Sequence, residues 1–144
     1  MKRSVVEATL LLLIATLVRL AGAWILGDGA PFGPDGTGAE ASVHLPGHLY
    51  PLHIALIAVV GSGRALSIGC GALTCALLWL YGRRLGLGST GGWLAVTLPL
   101  AVYPSCLTAG DAPALLFVVG GATLATMGRG AAVLGGAISL ASVA

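Results

Sequence analysis

The chain has 144 residues, of which 57% are hydrophobic and only 8% charged, with a mean hydropathy of +0.99. Soluble domains carry about 25% charged residues, so this composition excludes an ordinary water-facing surface. Seven Lys/Arg against five Asp/Glu leave a net charge of +2, too small and too scattered for a nucleic-acid partner. Cys70, Cys75 and Cys106 sit in apolar runs, without disulfide-framework or metal-ligand spacing, and read as free thiols packed among helices. The expected fold class is all-α: a single polytopic transmembrane helical bundle over 1–144, with four to five spans and a short interfacial helix.

A span needs about 20 apolar residues. The first runs over 5–26, interrupted only by Glu7 and Arg19. A cleaved signal peptide is the competing reading, given Met1-Lys2-Arg3 and the small residues Ala21-Gly22-Ala23. The apolar run continues through Trp24-Ile25-Leu26, which favours a retained helix. Residues 27–51 form the longest polar segment, in which Pro31, Pro34 and Pro46 prevent a long helix. The apolar stretch 52–60 is too short to cross a bilayer and is expected to lie along its interface. Continuing it through Gly61-Ser62-Gly63 would carry Arg64 toward mid-membrane, so a break is expected at those glycines.

Further spans are expected over 65–81, 92–106 with its two prolines Pro99 and Pro104, 112–127, and 131–144, the last being short. With the amino terminus in the cytoplasm, Lys2, Arg3, Arg83, Arg84 and Arg129 all fall inside, while Asp28, Asp35, Glu40 and Asp111 fall outside. The expected location is a bacterial-type inner or plasma membrane. Arg19 and Arg64 alone break the positive-inside pattern. Snorkelling to headgroups accounts for Arg19, about 21 Å along its helix from Val5. For Arg64 the alternatives are snorkelling and a phosphate clamp built on the planar guanidinium fork.

Asp35 and Glu40 read either as a solvated loop or as a general base at the water–lipid boundary. Asp111, ahead of Ala112-Pro113 and a long apolar run, reads first as a helix N-cap. His44 and His48 are four apart, but Pro46 and Gly47 between them make a helical metal pair improbable. The small-residue ridge Ser67, Gly71 and Cys75, and the pair Gly121 and Ala125, read as helix-packing faces.

The order of several segments resembles the amino-terminal part of polytopic GT-C glycosyltransferases, the group of protein O-mannosyltransferases and lipid A aminoarabinose transferases. The resemblance rests on Val18-Arg19-Leu20, the loop carrying Asp35, Leu45-Pro46-Gly47-His48-Leu49-Tyr50-Pro51, Arg64-Ala65-Leu66-Ser67, Leu80-Tyr81-Gly82-Arg83-Arg84-Leu85-Gly86 and Ala109-Gly110-Asp111-Ala112-Pro113. It implies transfer of a sugar from a polyprenyl-phosphate carrier to an acceptor on the outer face. Asp35 would be the catalytic carboxylate, and Arg64, Asp111, His48, Glu40 and Tyr50 the substrate-binding residues. No cofactor is implied, and a divalent metal stays open. Family members carry more spans than these, so the alternatives are a fragment of such an enzyme, a small relative that has lost activity, and a unit whose fold a partner subunit completes, alongside membrane lipid. The alternative from another class is a non-catalytic multi-span subunit or a small transporter; the near-absence of acids within the spans counts against proton coupling.

Overall fold

The computed structural model describes residues 2–26, 51–106 and 111–141, and among these the regular structure is entirely helical. Helix α1 spans Lys2–Leu26, α2 Pro51–Val60, α3 Gly63–Arg84, α4 Thr90–Thr97, α5 Pro99–Cys106, α6 Asp111–Ala125 and α7 Arg129–Ala141. The 25 residues of α1 and the 22 of α3 reach about 37 and 33 Å at 1.5 Å per residue. Both are long and apolar enough to cross a membrane, whereas α6 and α7 are shorter.

The break before α3 falls where the glycines require it. Gly61 adopts φ +76°, a left-handed conformation open to glycine, and Ser62 caps the new helix by accepting the Ala65 amide on its hydroxyl at 3.3 Å. Because α3 begins at Gly63, Arg64 lies inside its first turn and not ahead of it. The expected single span over 92–106 is two helices of eight residues each. Leu98 between them is extended, at φ −66° and ψ 120°, because a residue preceding proline is pushed out of the helical region.

The helices pack through ridges of residues spaced four apart. On α1, Leu11, Ala15, Arg19 and Ala23 are all buried; on α3, so are Ser67, Gly71, Cys75 and Trp79. Leu11 packs with Cys75 and Trp79, while Ala23 packs with Ile68 and Cys106, so α1 and α3 run antiparallel. Gly92 of α4 lies against Leu11 and Trp79, and Cys106 of α5 lies against Gly22, so α4 and α5 together return along α1. Ala112 then meets Leu66 and Cys70, and Gly120 meets Leu77, which sets α6 parallel to α3. Helix α7 folds back on α6 with Gly135 against the Gly121 backbone.

The interior is mainly apolar, but large apolar side chains also face outward and a few polar ones are enclosed. Val5, Leu13, Leu17, Leu20, Trp24 and Ile25 of α1 face outward, Trp24 with 85% of its surface exposed. Ser67, Thr74, Ser105, Thr123 and Arg19 are enclosed. The hydroxyls of Thr9, Thr16, Thr74 and Thr123 donate to the carbonyl one turn earlier in their own helices, satisfying themselves without solvent. The small-residue ridge Ser67, Gly71 and Cys75 is a packing face as expected, and Gly121 is another, although Ala125 is exposed.

Candidate functional site

The alternation of helix directions creates two chemically different ends. At one end α1 begins and α3 finishes, with the α6–α7 turn beside them. Lys2, Arg3, Arg83, Arg84 and Arg129 belong to this end by chain position. Glu7 approaches Arg83, Oε2 to Nη1 at 3.7 Å, and the Arg83 guanidinium lies over the Trp79 ring, 4.9 Å from its centroid. The one acid expected within a span is therefore held beside a cation at the basic end.

At the opposite end α1 finishes, α3 begins, α5 finishes and α6 begins. Leu56 of α2 packs there with Leu66, Cys70, Ala112 and Leu116. Arg64, two residues before Leu66, and Asp111, one before Ala112, thus sit on neighbouring helix starts. Arg64 is half-buried. Asp111 is the first residue of α6, one place inside the N-cap position expected for it. Asp35, Glu40, His48 and Tyr50 lie outside the described residues, as does His44. The segment that carries them joins Leu26 to Pro51, so both of its attachment points belong to helices of this end.

The structure also assembles a site that sequence reasoning missed. Arg19 does not snorkel: only 1% of its surface is exposed. Its Nε donates to Ser105 Oγ at 2.8 Å and Nη1 to the Ala15 carbonyl at 3.1 Å, while Nη2 donates to Cys75 Sγ at 3.3 Å and the Ala95 carbonyl at 3.4 Å. Ser105 and Cys75 hold these positions by donating their own protons to backbone, Ser105 to Val102 at 2.7 Å and Cys75 to Gly71 at 3.3 Å. The Cys106 thiol donates to the Arg19 carbonyl at 3.4 Å. All of these acceptors are neutral, and among the described residues no carboxylate is within ion-pair distance of Arg19. Helices α1, α3, α4 and α5 thus close around the Arg19 guanidinium.

Room for that charge comes from Gly71. A Cβ there would stand 2.5 Å from Ser105 Cβ and 2.6 Å from Arg19 Nε. The overlooked signal was the ridge itself: Arg19 is four residues from Ala15 and from Ala23, on the small-residue side of α1. Enclosed this completely, Arg19 bonds to α1, α3, α4 and α5 at once.

Cys70, Cys75 and Cys106 are buried free thiols, as their apolar surroundings in the sequence led us to expect. Among the described residues no group of three His, Cys, Asp or Glu side chains could hold a metal ion. The chain matches no family model, no curated protein and no solved structure.

Proposed function

We propose that this chain is a polytopic membrane protein, amino terminus in the cytoplasm, whose outer end serves glycosyl transfer from a polyprenyl-phosphate-linked sugar. The spans in this reading are α1, α3, the broken pair α4–α5, α6 and the shorter α7, with α2 along the outer interface. One observation carries it: helix alternation gathers the basic turns at one end, and places Arg64, Asp111 and both anchors of the Asp35-bearing segment at the other. The basic end then satisfies the positive-inside rule, and the other end offers acids and a cation at the water–lipid boundary.

In this reading Asp35 accepts the proton of the acceptor hydroxyl as its oxygen attacks the anomeric carbon. The bond from that carbon to the phosphate oxygen breaks, and the lipid phosphate leaves with the electron pair toward Arg64. Asp111, Glu40, His48 and Tyr50 bind donor and acceptor. The direct test follows labelled sugar from a polyprenyl-phosphate donor in membranes containing the chain, with and without the products of neighbouring genes. Transfer that Asp35→Asn abolishes and Arg64→Ala weakens is the expected result. Transfer unchanged by Asp35→Asn removes that residue as the base.

The second reading is a non-catalytic membrane subunit, and α7 favours it. That helix packs chiefly on α6 and leaves Val133 and Leu134 exposed, as a surface against which a partner's helix could complete the bundle. Absence of transfer by the unmutated chain, even with its neighbours' products, selects this reading over the first.

A further inference from the structure

The break between α4 and α5 leaves a backbone group that the helix cannot satisfy. In an α-helix the Ala95 carbonyl accepts the amide of the residue four positions on. That residue is Pro99, which has no amide proton. The last ordinary bond before the break runs from the Leu98 amide to the Leu94 carbonyl at 2.9 Å. Beyond it, the Ala101 and Val102 amides both turn to the Leu98 carbonyl, at 2.9 and 3.0 Å. In an apolar surrounding a carbonyl left without a donor is costly.

We propose that Arg19 stands in for the amide that Pro99 cannot supply and pins the elbow between α4 and α5. Its Nη2 reaches the Ala95 carbonyl on one arm, and its Nε holds Ser105 Oγ on the other. Bonds to Ala15 and Cys75 fix the guanidinium itself against α1 and α3, so the pin is anchored outside the elbow. The Cys106 thiol on the Arg19 carbonyl ties the far tip of α5 to the same residue. Arg19 is thereby a positioning residue: it sets where α5 ends. The inference rests on the packing alone and stands apart from glycosyl transfer.

Cys106 is the reporter, since its thiol is 1% exposed and reacts only when the elbow opens. The full-length chain in detergent micelles is treated with a maleimide, and modification of Cys106 is followed by mass spectrometry. Losing a charged donor raises the population of the open form, so Arg19→Met is expected to speed labelling by about tenfold or more. Pro99→Ala restores an amide to Ala95, so the same Arg19→Met change in a Pro99→Ala background should accelerate labelling far less. Equal acceleration in both backgrounds overturns the proposal, because a merely structural loss of Arg19 is indifferent to residue 99. If Arg19→Met does not accumulate in membranes, Arg19→Lys serves in the same cycle: its single nitrogen cannot hold both arms. Unchanged labelling in that chain equally overturns the pin.

Discussion

Gly71 and Gly69 are two residues apart on α3 and meet opposite surroundings. A methyl group at 71 would press on Ser105 and on the Arg19 guanidinium, whereas nothing lies within 4 Å of the corresponding position at 69. Gly71→Ala is expected to lower stability by about 1–3 kcal/mol through overpacking. Gly69→Ala should be neutral or raise stability by up to about 1 kcal/mol through helix propensity. Thermal unfolding of the detergent-solubilised variants separates the two, and equal behaviour would show that Arg19 has other room to occupy. The four-residue spacing of Ser67, Gly71 and Cys75 was legible in the sequence as a packing ridge. What it packs against was not, because a sequence records the pitch of a helix face without naming the face opposite. Arg19 was misread for that reason: position along α1 suggested the headgroup boundary, and only the neighbouring helices reveal an enclosure.

At the scale of elements, the end of α1 at Leu26 and the break at Gly61 followed from apolar run length and glycine, while α1 opens three residues earlier and α6 one residue earlier than the apolar runs alone imply. The elbow within 92–106 did not. Proline is tolerated inside apolar spans when other groups satisfy the freed carbonyl, so Pro99 alone leaves a bent helix and a broken one equally open. The group that meets the freed carbonyl is Arg19, 76 positions from Ala95 in the chain. The α6–α7 pair depends on close approach in a simpler way: Gly135 lies against the Gly121 carbonyl and Leu124, while Gly136 faces open space. Gly135→Leu is expected to push α7 off α6 and lower the melting temperature by several degrees, with Gly136→Leu as the silent control. A Gly135→Leu chain that melts with the unmutated one would place the α6–α7 contact elsewhere.

For the whole molecule, charge position made the alternation of directions legible before any packing was known. Antiparallel α1 and α3, returning α4–α5 and parallel α6 are the arrangement that the basic turns required. Sidedness is open to direct measurement. In sealed cells, a membrane-impermeant maleimide should leave Leu87→Cys, in the exposed turn after α3, unlabelled until the cells are broken, and should label Ser42→Cys at once. The reverse pattern would invert the orientation and move Arg64 and Asp111 to the cytoplasm. The three native thiols, being buried, leave the reading clean. The catalytic reading rests on the side-chain chemistry of residues 35, 40, 48 and 50, which the sequence itself displays.

The enclosure of Arg19 also bears on how the molecule is made. Its acceptors arrive late in synthesis: Cys75 is 56 residues downstream, Ala95 is 76 and Ser105 is 86. At a ribosomal pace of about 5–20 residues per second, α1 exists for roughly 4–17 s before its last partner has been synthesised. An arginine on an unaccompanied membrane helix costs about 2.5–3.5 kcal/mol on insertion scales when centrally placed, less toward the end where Arg19 lies. If α1 crosses a membrane, its leucines carry that cost until α3, α4 and α5 emerge, and the Arg19 guanidinium gains its full set of acceptors only once Ser105 has been made.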